Sequence, residues 1–325
     1  MVTDLSPGNA AAWLTRHGMP AGDARFNELG GGVSNTVIQV EGPAFRAVLK
    51  QSVGKLRVEQ EWLADRGRIF REAAAMRWVE GRLHGGRAPG ILWEDRENFA
   101  IAMESAPAGA EMWKNRLFGG EFEAACAAAA GTMLGSLIGA SWNDPEARRI
   151  FGDRTVFRQL RIDPYYRFTA GIAPEHADYF HDLIRRSDAR QVSLVHGDWS
   201  PKNLLVSREG VWAIDWEAIH FGDPSFDTGF LLNHLLLKSI AMPQHRAELA
   251  HLAEVFTAAL AEELPAGAEW VEDAAFEHLP ALLLARVDGK SPAEYLDAGM
   301  CDRARSIARD LMRHPTAVVT EVFRR

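Results

Sequence analysis

The sequence predicts an α+β protein in two lobes, a small β-rich N-lobe over residues 1–103 and a larger, mostly helical C-lobe over residues 104–325. Three observations predict it. Short alternating runs suited to strands crowd into the first part of the chain. Beyond residue 120 the pattern is largely helical. That helical part is interrupted once, within residues 193–230, by short apolar runs separated by polar loops. Strands and helices segregated along a chain argue for α+β rather than an alternating α/β order. The length of 325 residues allows one or two domains, and 47% hydrophobic with 25% charged residues is an ordinary globular composition.

Composition also excludes function classes. A formal net charge of −8 argues against nucleic acid or an anionic membrane surface as the main partner. The two cysteines, Cys126 and Cys301, stand far apart without partners at metal-ligand spacing. Neither a disulfide scaffold nor a zinc site is expected, and a reducing, cytoplasmic compartment fits. The opening MVTDLSPGNAAAW lacks a basic n-region and an apolar h-region, so a signal peptide is not expected. Residues 124–142 are uncharged and long enough to raise the question of a membrane span. Ala, Gly, Ser and Thr dominate them, so transfer to lipid gains little and a buried, close-packed helix is expected.

In the N-lobe, Ser6-Pro7, NAAAWLTRH and Gly18 give a cap, a first-turn proline and a stop for a short helix. Residues 25–29 read as a strand entering a glycine run, Gly30, Gly31 and Gly32, followed by Ser34 and Asn35. Residues 36–40 and 45–50 alternate as two further strands about the turn Glu41-Gly42-Pro43. Glycines let a hairpin backbone approach a phosphate, and Ser34 or Asn35 would add donors; a tight hairpin needs glycines in any case. Lys50 fits a surface strand end or a phosphate ligand. Two strands after a glycine hairpin, it would reach beneath bound phosphates. Residues 57–79 are rich in helix formers, and Glu72 within them fits either a partner for Lys50 or a solvated helix charge. Residues 90–93 and 98–103 read as the last two strands, after which Glu104, Ser105, Ala106 and Pro107 cross to the C-lobe.

In the C-lobe, residues 121–142 form one long helical segment. Its Gly131, Gly135 and Gly139 make a smooth face for close packing. Asp163-Pro164 reads as a helix start, with Tyr165 as core or pocket lining and charges at Arg161 and Arg167. Residues 174–187, 225–240, 243–263, 270–286 and 302–313 read as further helices. Arg286, Asp288 and Lys290 form a charged knot at a helix end. It fits dipole-complementing surface charge or a substrate contact.

The chemistry concentrates at residues 193–230, SLVHGDWSPKNLLVSREGVWAIDWEAIHFGDPSFDTGF. The spacing H-x-D-x-x-x-x-N closely followed by apolar-Ile-Asp is the catalytic-loop and metal-loop pattern of kinase-like folds. Asp198 is the candidate base, placed to accept or orient the proton of an attacking hydroxyl. Asn203 and Asp215 offer the hard oxygen donors that suit Mg²⁺. Glu217 is a further ligand or a supporting group. Lys202 fits charge compensation on a transferring phosphoryl group or a solvated loop lysine. His196 is expected to brace the loop, and Asp227 either braces it or caps a helix.

HGDWSPKN and AIDWE followed by FGDPSFD, with the upstream glycine hairpin, Lys50 and REAAAMRW, resemble the aminoglycoside phosphotransferase and choline kinase family. The resemblance spans nearly the whole chain. It implies the bilobal protein-kinase-like fold, ATP and Mg²⁺ in the cleft, and γ-phosphoryl transfer to a hydroxyl of a small molecule. By it, Lys50 takes the phosphate-lysine role with Glu72 as its partner. Asp198 becomes the base, and Asn203 and Asp215 the metal ligands. Crossover residues such as Glu104 and Ala106 line the adenine pocket through backbone groups. KQSVGKLRVEQEW is also similar to methylthioribose kinases, which carry a carboxylate near the place of Glu217.

A catalytically silent nucleotide-binding module is the alternative from another class, weakened because every assigned position is chemically intact. A metal-dependent hydrolase is disfavoured, since no other His or carboxylate pair stands at metal-site spacing around Asp198. The acceptor stays open. Overall acidity suits cationic acceptors such as aminoglycosides or choline, whereas Arg286, Asp288 and Lys290 with Arg161 and Arg167 suit a sugar or a partly anionic one equally well.

Overall fold

The computed structural model describes residues 2–30, 35–43, 45–54 and 65–325. In the N-lobe, β1 (Arg25–Glu28), β2 (Asn35–Glu41), β3 (Arg46–Ser52), β4 (Ile91–Asp95) and β5 (Ala100–Glu104) form an antiparallel sheet in the order β1-β2-β3-β5-β4. The register sets Val37 opposite Lys50 and Lys50 opposite Ile101, so the lysine lies in the middle of the sheet. Alternation along β3 sends Ala47 and Leu49 into a small core with Trp13 and Leu14 of α1 (Ala10–Arg16). It sends Val48 toward the main core that α2 (Arg68–Val79) enters. The first helix begins later than Ser6-Pro7 implies. Asn9 Oδ1 accepts the Ser6 backbone N–H at 2.9 Å, and the resulting turn delays the helix to Ala10.

The C-lobe is built around α3 (Ala124–Ser141), the apolar segment of membrane-span length, and here it is a core helix. The glycine face explains its packing. A Cβ on Gly131 would lie 2.3 Å from the Phe256 carbonyl oxygen, and one on Gly135 2.6 Å from Glu263 Cβ. The backbones of α3 and the helix Arg246–Glu263 therefore touch where side chains would hold them apart. Residues Arg158–Arg167 depart from expectation. Pro164 does not open a helix but sits inside a π-helical segment, whose wider turns tolerate the missing N–H. α4 (Ala177–Ala189) then leads to β6 (Ser193–Val195).

Beyond β6 come β7 (Leu204–Ser207), β8 (Gly210–Ala213) and β9 (His220–Gly222). β7 and β8 pair as a hairpin, and β9 pairs with β6. Gly86–Arg87 adds to β8 and Glu111–Met112 to β7, pairings that two-residue strands do not announce in sequence. α5 (Ser225–Ala241), α6 (Arg246–Glu263), α7 (Trp270–Ala285) and α8 (Ala298–Arg313) complete the lobe. The last begins at an Asp297 cap that accepts the Met300 N–H at 2.8 Å, one turn earlier than periodicity alone implies.

Candidate active site

The β6–β7 connection carries Asp198. Gly197 makes its approach possible: φ is +81°, and a Cβ there would lie 2.9 Å from both Ala218 Cβ and the Ala218 carbonyl oxygen. Two buried side chains hold the turn. Asp227, in the first turn of α5, accepts the His196 N–H at 2.5 Å and the Gly197 N–H at 2.9 Å. His196 donates from Nε2 to the Ile214 carbonyl at 3.1 Å and accepts the Asp198 N–H on Nδ1 at 3.2 Å. That tautomer requires a neutral ring, and burial lowers the His196 pKa to about 4 despite the nearby Asp198 and Asp215 charges. Both residues contact the turn itself: the Asp227 carboxylate meets loop amides, and His196 links the turn to the Ile214 carbonyl.

Asp198 is buried and carries two cations. Arg161 Nη2 and Lys202 Nζ each lie 2.9 Å from its Oδ2. Arg161 also donates from Nε to the Gly197 carbonyl at 2.6 Å, so one guanidinium grips both the loop and its carboxylate. Burial would raise the Asp198 pKa, but the Arg161 and Lys202 charges outweigh it and hold the group below its ordinary value. Arg161, read from sequence as a substrate contact, is thus committed to the loop. Asn203 donates from Nδ2 to the Asp198 carbonyl at 2.9 Å, and its backbone carbonyl accepts the Ile214 N–H at 2.9 Å. The β7–β8 hairpin so brings Asn203 beside Asp215.

Asp215 has φ +67° and ψ +55°, a left-handed conformation uncommon outside glycine. Its Oδ1 lies 2.6 Å from Lys50 Nζ, which also contacts Glu72 at 2.8 Å. Burial works against both charges. The Lys50 ammonium nevertheless stays above its ordinary pKa and the Asp215 carboxyl well below its own, because each faces the other. Glu217 Oε2 accepts from Asn35 Nδ2 at 2.8 Å and from Arg68 Nε at 3.0 Å. Glu72, Asp215 and Glu217 each bring a carboxylate oxygen within 4.8 Å of the others. Among the described residues Lys50 and Arg68 stand against these carboxylates. Hard oxygen donors of this kind fit a divalent cation such as Mg²⁺. Glu217 is already engaged by Asn35 and Arg68.

Gly31, Gly32 and Ser34 lie outside the described residues. Asn35 opens β2, and its amide turns to Glu217. The Glu104 side chain turns to Arg87 and to the Gly90 N–H, while the Ala106 carbonyl accepts from Arg46 Nη1 at 3.1 Å.

The charged knot at the end of α7 is split. Asp288 pairs with Arg305 of α8 at 2.7 Å, and Lys290 Nζ lies 5.3 Å from the centre of the Phe168 ring. Arg286 instead donates to Ser291, near Tyr165, His234 and Lys238. Arg167 pairs with Asp163 at 2.5 Å on an exposed helix face. Sequence reasoning passed over Arg68, His234 and Lys238. A lysine and a histidine one turn apart inside the apolar run FLLNHLLLKSI were the available signal.

With this geometry in view, the comparisons decide the family. The model of a phosphotransferase enzyme family (APH) matches residues 25–252, well over half of the chain. The chain belongs to that family. It is accordingly a phosphotransferase, of the small-molecule kinase kind. No protein of curated function matches it in sequence. Among solved structures, a choline/ethanolamine kinase family protein from Mesorhizobium loti shares 17% identity at a TM-score of 0.55, covering 98% of this phosphotransferase and 99% of that chain. The streptomycin–ATP–APH(2")-IIa complex shares 14% at 0.51, covering 99% of each chain. Amicoumacin kinase hAmiN, in complex with AMP-PNP and Ca²⁺, shares 13% at 0.56, covering 90% of this chain and 89% of its own. At these identities the likeness is one of fold. Nothing in these matches bears on methylthioribose kinases, and much of KQSVGKLRVEQEW lies outside the described residues.

Proposed function

We propose that this phosphotransferase moves the γ-phosphoryl group of ATP, in the presence of Mg²⁺, to a hydroxyl of a small molecule of the sugar, amino alcohol or aminoglycoside-like class. The observation that carries it is Lys50 held between Glu72 and Asp215, with Asp198 anchored one hairpin away. A lysine charged and fixed in that position is suited to triphosphate oxygens. The glycine run before β2, Lys202 and backbone groups at 104–106 are the remaining nucleotide contacts in this reading.

Asp215 and Asn203 would hold the metal, which supplies neutralisation of charge developing on the phosphates. Asp198 accepts a hydrogen bond from the acceptor hydroxyl and aims its oxygen at phosphorus. The new O–P bond forms as the bond to the ADP oxygen breaks, and the hydroxyl proton passes to Asp198. A carboxylate held below its ordinary pKa is a weak base. It suits a loose transition state, in which the hydroxyl loses its proton late and orientation matters most. Lys202, 2.9 Å from Asp198, adds positive charge where the phosphoryl group crosses.

ATP turnover with Mg²⁺ tests the proposal. Asp198→Asn is expected to lose about 10²–10⁴-fold in rate while still gaining thermal stability from Mg²⁺ and an ATP analogue. Asp215→Ala is expected to lose both turnover and the Mg²⁺-dependent gain. A wild-type protein indifferent to Mg²⁺ and nucleotide overturns the proposal. Nucleotide binding without phosphorylation of any acceptor favours the silent module.

A further inference from the structure

Beyond Arg161, which is committed to Asp198, lies a group of cations, Lys114, Lys238 and Arg286, that the reaction described above does not use. Arg161 stands 5.7 Å from the ring centres of both Tyr165 and Phe230, which stack 6.0 Å apart. Phe230 meets His234 at 5.0 Å, one turn further along α5, and Lys238 follows after another turn. Lys238 is only 1% exposed, with its ammonium 5.4 Å from the Phe118 ring centre and 5.7 Å from that of Tyr295. Its one hydrogen bond is a 3.4 Å contact to the His234 carbonyl of its own helix. Lys114 approaches from the other side, its backbone N–H donating to the Pro201 carbonyl of the Asp198 loop at 2.8 Å. Arg286 completes the group from the end of α7, bonded to Ser291.

What the group lacks is an anion. Among the described residues, Lys114, Lys238 and Arg286 have no carboxylate within 4.0 Å. Asp198, the nearest candidate, is occupied by Arg161 and Lys202, and Asp288 is occupied by Arg305. Arg286 Nε and the Tyr295 hydroxyl are buried without a hydrogen-bond partner. Buried charge and buried donors without partners are costly, and a ligand is one means of supplying what is missing. Burial, with Lys114 and Arg286 adding to it, lowers the Lys238 pKa to about 7, so an arriving anion would also restore its charge.

We propose that the acceptor carries an anionic group, a carboxylate or a phosphate monoester, that seats against Arg286 and Lys114 above Lys238 while its hydroxyl reaches Asp198. The inference rests on the kinase reading and narrows it. It disfavours choline and aminoglycosides, whose positive charge this group of cations would repel. The eight residues from Phe230 to Lys238 correspond to ~12 Å along the helix, so a sugar-sized acid suits the site better than a two-carbon one.

Thermal shift at matched ionic strength tests this, with and without saturating Mg–ADP, using inorganic phosphate, sodium gluconate, glucose and choline chloride as probes. The expected result is stabilisation by phosphate or gluconate and none by glucose or choline. Phosphate alone would point to a phosphate monoester, and gluconate to a carboxylate. In Lys238→Met and Arg286→Gln the half-saturating anion concentration should rise about tenfold or more, the loss of one interaction of ordinary strength. Their retained Mg–ADP shift would show an intact nucleotide site. The proposal fails if neither anion stabilises the wild type, if both variants respond as it does, or if glucose or choline matches the anions. Loss of the wild-type Mg–ADP shift would count against the kinase reading, while the anion arm is read independently.

Discussion

At the scale of single residues, side-chain commitments separate what sequence spacing leaves together. Asp198, Asn203 and Asp215 stand at motif positions, and the structure brings them to one hairpin. Arg161 has no motif to announce it, yet it grips Asp198 and the Gly197 carbonyl. Lys238 allows a test by pH. The folded chain releases its proton near pH 7, whereas the unfolded chain keeps it to about pH 10.4. Between those values the unfolded state binds more protons, so this group makes stability rise with pH, by at most about 1.4 kcal/mol per pH unit. Urea denaturation at pH 7 and pH 9, without added multivalent anions, should show wild type gaining on Lys238→Met at the higher pH. An unchanged difference would mean that Lys238 is not held neutral.

At the scale of elements, the α3–α6 contact follows from sequence more directly than the catalytic residues' surroundings do. Glycine every fourth residue on a helix leaves a flat strip, and the structure lays another backbone along it. The consequences grade with distance. Gly131→Ala puts a methyl 2.3 Å from a carbonyl oxygen, whereas Gly139→Ala puts one at 3.2 Å. Thermal denaturation should show a loss of about 1–3 kcal/mol for Gly131→Ala and a smaller loss for Gly139→Ala; equal losses would contradict the close approach. Elsewhere, elements misread from sequence were those whose local signals competed. Asp-Pro signals a helix start, but packing carries Arg158–Arg167 through Pro164 as wide turns. Gly86–Arg87 acquires strand character only from the β8 edge beside it.

At the scale of the whole molecule, contacts among the described residues that join the N-lobe to the C-lobe across the cleft include Lys50 to Asp215, Asn35 to Glu217 and Arg68 to Glu217. The last is nearly shielded from water, with side chains 0% and 8% exposed. Glu217→Ala would take one carboxylate away from the buried Arg68 guanidinium, at a cost of up to about 3–5 kcal/mol. Replacing both partners, as Arg68→Met with Glu217→Leu, should recover part of that stability because the buried guanidinium leaves together with the Glu217 carboxylate. Urea denaturation of the two variants checks this. If the double variant is no better than Glu217→Ala, the pair is not the joint between the lobes. Turnover should fall in both, since the same contacts position Lys50 and Asp215 across the cleft.

The sequence by itself determined most of the strands and helices, the α+β class and the motifs on which the phosphoryl-transfer reading rests, because periodicity and loop spacing are local properties of a chain. Only the tertiary structure decided which charges meet. Asp288 found Arg305, Arg161 found Asp198, and Lys238 found no carboxylate among the described residues. Ion pairing depends on distances between segments far apart in sequence, and so does the free energy of burying a charge. That is why the phosphotransferase reading could start from residues 193–230, whereas the proposal of an anionic acceptor rests on the cations that Lys114, α5 and the end of α7 bring together.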